Sequence, residues 1–597
     1  MSSFNRYYQS ELSALRTLGR RFAERNPALA PFLGESGSDP DVERLFEGFA
    51  FLTGRLRERL DDDLPELTHS LMQLLWPNYM RPLPAFSVLE FDPLSLAAPA
   101  LEVPRHSPVE SGNVEGGRCR FRTCYPTEVL PLALSALSYS TKGDRSLLSV
   151  QLNMTGEGHL GQLDLKRLRL HLAGERYISQ MLYLNFSRHL KGISLVLLGR
   201  DRQALLDDGG LPQSFSLPVQ SMVPVGFAED EALIPYPLNT FRGYRLLQEY
   251  FSFKDKFLFV DLLGLEALRQ FPQDVLANAR GLEIRFTIKA ADETRELRPT
   301  LENIRLYCTP IVNLFPHDGL PLQLDGRQDE YLLLPAEYES GQCGVYSVER
   351  MTGWRAGGLG YRDFVPFESF EHDSHGGQGQ SVAHYTLRQR PSLAHDGLDT
   401  YVRFTTEGAL LAETLSTELI CTNQNLPQRL SVGDICRAGS GLAESLSFRN
   451  IVPASRFYPP PLGQGMLWKL ISNMSLNYLS LANIVALRKV LETYDFASHH
   501  DPRAQEVSQQ RLAGLKSIRH QAADRLYGGL PLRGLRTELT MDPQHFGGEG
   551  DLFLFATVLN EFFALYVGLN SFHELNVLSV KGEVYKWTPR LGQQPLF

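Results

Sequence analysis

The sequence predicts a multidomain α+β fold: an N-terminal helical bundle element, central antiparallel β-rich domains and a C-terminal α+β region. Three observations carry this. Apolar residues near the N-terminus recur at helical steps, those in the middle of the chain alternate with polar ones, and the last part mixes both patterns. At 597 residues the chain is longer than one hydrophobic core usually serves, so about three or four domains are expected. The pattern changes place them at 1–84 (helical bundle and partner-binding region), 85–320 (β-rich), 321–455 (second β-rich domain) and 456–597 (α+β).

Phe4, Tyr8, Leu12, Leu15, Leu18 and Phe22 mark a first amphipathic helix, which Asn26-Pro27 ends. A second begins at Pro40, where a missing N–H costs nothing, with Asp39 as cap and Asp41 and Glu43 at the positive end of the helix dipole. Val42, Leu45, Phe46, Phe49, Leu52, Leu56 and Leu60 follow at the spacing of one buried face. The run Asp61-Asp62-Asp63 with Pro65 opens a third helix, striped by Leu67, Leu71, Leu74 and Leu75 until Pro77. Such a unit has more apolar surface than it can bury within itself, which points to packing against another chain or a later domain.

Beyond Pro84 the period becomes two. Cys119, Phe121 and Thr123 alternate with Arg118, Arg120 and Arg122; Leu148, Val150, Leu152 and Met154 alternate with polar residues, as do Leu282, Ile284, Phe286 and Ile288. These are expected to be half-buried antiparallel strands, with one helical insert near Tyr177 to Leu190. From Gln328 to Asn450 the strands shorten and the loops lengthen. Pro459-Pro460-Pro461 marks a boundary, after which Gly465 to Tyr494 reads as a long helix or a broken pair. Leu470, Met474, Tyr478, Leu481 and Val485 form its apolar stripe; Asn473, Asn477, Ser480 and Asn483 form a polar one that either satisfies a neighbour's backbone or faces solvent. A strand near Leu535 to Met541, a buried helix from Leu552 to Leu569 and a hairpin turning at Lys581-Gly582 complete the chain.

Composition narrows the function. A hydrophobic content of 43%, with 10% aromatics, describes a folded protein. A formal net charge of −9 argues against nucleic acid as a partner, because phosphate neutralisation supplies most of that affinity. The densest basic run, Arg511 to Arg536, reads as a solvated or partner-facing surface. Asn560 and Glu561 interrupt the most membrane-like stretch, so no direct membrane insertion is expected. No signal peptide is evident, so the protein is expected in the cytoplasm with its six scattered cysteines reduced.

The chemistry-bearing motifs do not assemble. Gly156 to Gly161 imitates a dinucleotide loop, but Leu163, Leu165, Leu168, Leu170 and Leu172 are spaced mostly in twos where a helix is needed, and Glu157 would face the phosphates. His372, His375 and His384 lack a fourth metal ligand at usual spacing, and Cys119 with Cys124 lacks a second pair. Glu43 and Glu47, one helical turn apart, read as a solvated face. No catalytic residue, metal or cofactor is expected, so a structural assembly protein is favoured over the alternative of a carbohydrate-active hydrolase with a β-sandwich.

The wording itself adds to this. YYQSEL at Tyr7–Leu12, DPDVERLFEGFAFLTGRL at Asp39–Leu56, CRFRTCYP at Cys119–Pro126, YFSFKDKFLF at Tyr250–Phe259, CTNQNLP at Cys421–Pro427, WKLISNMSLNYLSL at Trp468–Leu481 and NSFHEL at Asn570–Leu575 occur in order along the chain. This set resembles the TssF family, also called VasA or ImpG, a baseplate component of the bacterial type VI secretion system. Gln424, where Arg is expected, and Thr588, where a second Pro is expected, depart from it. The resemblance implies a structural subunit of the baseplate wedge that supports sheath and tube assembly for effector delivery. It implies as partners TssG, a second copy of the chain, TssK and TssE, with tube or spike proteins as further candidates, and docking at the inner-membrane secretion complex. Val42, Leu45, Phe46, Phe49, Leu52 and Leu56 are the expected partner-binding residues, together with Asn473 and Asn477.

Overall fold

The computed structural model describes residues 8–18, 40–60, 72–73, 76–94, 100–236, 243–290, 297–325, 328–339, 341–355, 360–367, 383–392, 394–395, 397–406, 413–443, 446–461, 483–527 and 529–592. The chain divides into two units, Met1–Met72 with Gly463–Leu467 and Gln73–Leu462 with Trp468–Phe597.

The smaller unit contains helix α1 (residues 8–18), with Leu12 buried and Leu18 exposed, and helix α2 (Pro40–Leu60), which starts at the proline as its missing donor allows. Asp39 and the expected third helix, with Leu67, Leu71, Leu74 and Leu75, lie outside the described residues.

The larger unit is built on antiparallel sheets whose registers follow the alternation in the sequence. Leu282, Ile284 and Phe286 sit opposite Leu152, Val150 and Leu148, and all six are buried. These belong to a five-stranded sheet ordered Ser214–Leu217, Leu190–Leu198, Gly281–Lys289, Arg145–Met154, Leu132–Lys142. A four-stranded sheet holds Met222–Pro224, Phe259–Leu263, Arg167–Leu172 and Ile304–Leu306. Gly156 to Gly161 therefore runs through a short 3-10 turn into the strand Arg167–Leu172, and the helix a dinucleotide loop requires is not there.

A six-stranded sheet runs Ile435–Ala438, Pro108–Val114, Gly117–Thr123, Cys308–Val312, Phe86–Phe91, Phe448–Asn450. The segment expected at 321–455 thus splits in its pairing. Strands from Phe315 to Thr422 make an eight-stranded sheet with its own core of Phe315, Met351, Phe364, Val402, Leu415 and Leu419, whereas Ile435–Ala438 and Phe448–Asn450 return to the six-stranded sheet. Not every pair is antiparallel: Gly360–Pro366 runs parallel to Ala383–Pro391.

The expected helical insert is α3 (Arg176–Leu184), and α4 (Gly243–Ser252) is a further helix. The long helix expected over Gly465 to Tyr494 is described only as α5 (Ile484–Tyr494). Asn483 is not part of its polar stripe: it caps the helix, its side chain accepting from Val485 N at 2.9 Å, and Val485 itself is exposed. Helix α6 (Pro502–Ala513) follows, then a hairpin of Leu515–Tyr527 with Leu530–Met541. Helix α7 (Glu549–Leu565) crosses over to Phe572–Ser579, which pairs in parallel with Leu530–Met541. The membrane-like stretch is this core helix, packed on α3 and α4 and buried along nearly its whole length. Glu561, 9% exposed, meets Arg590 at 2.6 Å. Among the described residues no helix is long and apolar enough to cross a membrane. The turn at Lys581-Gly582 forms as expected, Gly582 taking the positive φ of 98° that favours glycine.

Candidate assembly surface

Helix α2 does not bury all of its apolar residues on one face. Ala50 and Gly54 are buried and Phe46 and Thr53 are half-buried, so the inner face is the row of Phe46 with small residues at four-residue steps. Leu45, Phe49 and Leu52 fall on the neighbouring face, where they are 72%, 56% and 64% exposed. The apolar arc is wider than one contact can cover, and the small side chains take the inside because they allow the closest approach. The expectation of one buried stripe is thereby corrected: Phe46 turns inward while Leu45, Phe49 and Leu52 turn outward. Side chains of Val42, Leu56 and Leu60 lie outside the described residues, as do Asn473 and Asn477.

Sequence periodicity missed Phe51. It is 42% exposed, and the Arg55 guanidinium lies over its ring at 5.7 Å. Thr53 Oγ1 donates to the Phe49 carbonyl at 2.8 Å, while Arg44 and Asp41, at 3.7 Å, are both strongly exposed. The outer side of α2 is therefore an apolar row with a charged border, the composition of a contact surface.

Two motif segments of the larger unit, CTNQNLP and YFSFKDKFLF, supply internal joints. Thr422 and Asn423 join the six- and eight-stranded sheets: Thr422 Oγ1 donates to Asn313 Oδ1 at 2.7 Å, and Asn313 Nδ2 donates to Asn423 Oδ1 at 2.8 Å and to the Arg120 carbonyl at 2.7 Å. Gln424, 2% exposed and at a positive φ of 48°, bonds the Leu398 backbone in both directions, at 3.3 and 3.4 Å. Lys256 and Glu249 form an ion pair fully out of solvent, where burial draws the ammonium down to about 8 against the pull of the carboxylate.

The basic run Arg511 to Arg536 is largely absorbed within the chain. Arg511 meets Asp551 at 3.1 Å, Arg525 and Arg536 meet Glu574 at 2.9 and 3.4 Å, and Lys516 meets Asp542 at 3.6 Å. Neither its charge nor its spacing could show this in the sequence, since the acidic partners Asp542, Asp551 and Glu574 all come from later in the chain.

His372 and His375 lie outside the described residues, and His384 stands in a strand with its ring 6.1 Å from Phe367. Among the described residues no three metal-ligating side chains cluster. Cys119 and Cys124 are buried free thiols, pushed up to about 12 by burial. Glu47 is exposed, as a solvated face requires, while the Glu43 side chain lies outside the described residues.

The sequence matches the family described as "Type VI secretion system, TssF" over residues 1–594. It is 28% identical over 645 aligned positions to the type VI secretion system component TssF1 of Pseudomonas aeruginosa, covering 99% of this chain and 98% of that protein. A chain of the solved TssK-TssF-TssG baseplate subcomplex is 33% identical and superposes with a TM-score of 0.75 over 93% of this chain and 99% of its own length. A chain of a solved type VI secretion baseplate complex is 28% identical, with a TM-score of 0.67 and coverage of 99% and 100%.

Proposed function

Since the chain belongs to the TssF family of the type VI secretion system, we propose that it is a structural subunit of the baseplate and that the outer face of α2 is one of its assembly surfaces. The observation that carries the second part is the row Leu45, Phe49 and Leu52, left in solvent by a helix that buries its small residues instead. A solved complex of a relative contains TssK and TssG, which makes proteins of these two kinds the proposed partners. The resemblance extends the proposal to TssE, to a second copy of this chain and to docking beside the inner membrane. A catalytic role is not proposed, and nothing in the comparisons supports a carbohydrate-active hydrolase.

Burying a Leu or Phe side chain fully contributes about 1.5–3 kcal/mol, so three of them can supply the apolar centre of a stable contact. Co-expression with a TssG-type and a TssK-type protein, followed by affinity purification, tests the reading: the three should purify together, and the chain should purify alone if the reading is wrong.

A further inference from the structure

The strand Gly117–Thr123 presents Cys119, Phe121 and Thr123 to a buried face and Arg118, Arg120 and Arg122 to the other. Two of these arginines are neutralised. Arg118 and Arg120 meet Glu110 at 3.3 and 3.4 Å, and Arg120 also lies over the rings of Phe315 and Tyr338 at 5.7 and 5.9 Å.

Arg122 is treated differently. Among the described residues it makes no ion pair, and its Nε is buried with no hydrogen-bond partner. Glu349 acts on it only from beyond ion-pair distance, is exposed, and already accepts from Ser347 Oγ at 3.1 Å.

A second guanidinium acts on Arg122 directly, and a third shares a neighbour with it. His106 N donates to the Thr123 carbonyl at 2.8 Å and Pro108 sits opposite Arg122, which brings Arg105 alongside. Arg105 Nη2 donates to the Ala232 carbonyl at 2.7 Å, while its Nε is likewise buried without a partner. Arg81 lies over the Tyr346 ring at 5.3 Å and donates to Asn78 Oδ1 at 3.2 Å. Tyr346 is 3% exposed, and the charges of both Arg81 and Arg122 act on it. His106 registers the same field: burial and then Arg122 and Arg105 bring its imidazole down to about 4, so it adds no charge of its own at neutral pH.

A guanidinium N–H buried without a partner is costly, and a chain of formal charge −9 has carboxylates to spare, yet Arg122 meets none within ion-pair distance. We propose that Arg122, Arg105 and Arg81 form an oxyanion site, suited to the fork-to-fork geometry that guanidinium offers a carboxylate or phosphate. The oxyanion is either an Asp, Glu or C-terminal carboxylate on a partner subunit or a free phosphate. The site lies in the larger unit and does not depend on the α2 surface.

The test uses the full chain and inorganic phosphate as probe, against chloride at constant ionic strength. The melting temperature of the wild type should rise saturably with phosphate, and this rise should vanish in Arg122→Gln and weaken in Arg105→Gln. In chloride Arg122→Gln should melt no lower than wild type, because the removed charge had no partner. A second arm separates the sources. If Arg122→Glu keeps its melting temperature but no longer co-purifies with TssG- and TssK-type partners, the oxyanion is a partner's carboxylate; if it assembles fully while phosphate still stabilises only the wild type, the oxyanion is free. Absence of phosphate stabilisation together with full assembly of Arg122→Glu overturns the proposal. So does Arg122→Gln melting below wild type in chloride by more than phosphate raises the wild type, which would make Arg122 a structural residue.

Discussion

Arg511 Nη2 and Asp551 Oδ2 lie 3.1 Å apart in the interior, joining the end of α6 to the first turn of α7. Lys254 Nζ reaches the other carboxylate oxygen at 3.3 Å, Gln180 Nε2 donates to that oxygen at 3.0 Å, and Gly547 N donates to Oδ2 at 3.2 Å. One carboxylate thus ties α3, the segment after α4, α6 and α7. Burial on its own would raise the Asp551 carboxyl, but Lys254 and Arg511 outweigh it and hold the group below its ordinary value.

Asp551→Asn should therefore destabilise the larger unit strongly. Removing one partner of a buried pair leaves the remaining charges uncompensated and costs about 3–5 kcal/mol. Urea titration followed by circular dichroism measures it; a midpoint within error of wild type would show that the pair contributes nothing.

His171 gives the fold a pH dependence. It is 2% exposed, its Nδ1 lies 3.3 Å from the Leu258 carbonyl, and its ring stacks on Phe259 at 4.3 Å. Burial takes its pKa from 6.5 to about 3. The unfolded chain therefore binds a proton near 6.5 that the folded chain refuses until about 3, and stability from this group is lost as the pH falls through that window. His171→Gln should flatten the fall in urea stability between pH 6.5 and pH 5 by up to about 1.4 kcal/mol per pH unit. An unchanged slope would assign the acid sensitivity elsewhere.

Thiol labelling should separate Cys436, the one exposed cysteine, from Cys119, Cys124, Cys308, Cys343 and Cys421, which are buried. In the native protein without reductant Cys436 should react quickly and the other five only as the chain unfolds. Fewer than six reactive thiols after denaturation would reveal a disulfide.

Much of this architecture was legible because it rests on local periodicity. The start of α2 at Pro40, the strands carrying Leu148–Leu152 and Leu282–Ile288, and the core identity of α7 all follow from neighbours in sequence. What the sequence hid depends on distant partners. The parallel pairing of Leu530–Met541 with Phe572–Ser579 is set by the helix crossing between them, and the return of Ile435–Ala438 and Phe448–Asn450 to the six-stranded sheet leaves no mark in their own pattern. The face of α2 was hidden for another reason: periodicity counts large apolar residues, whereas close approach selected Ala50 and Gly54.

The direct measurement of the central claim is a pull-down of the Leu45→Asp, Phe49→Asp, Leu52→Asp variant with TssG- and TssK-type partners, beside its thermal melt. All three side chains are exposed, so the variant should keep the wild-type circular dichroism spectrum and melting temperature. Loss of several kcal/mol of apolar contact should lower affinity by about a thousandfold or more and abolish recovery of the partners. Phe46→Asp, on the inner face, should instead lower the melting temperature. A triple variant that is folded and recovers its partners at wild-type yield would contradict the assignment of this face to assembly.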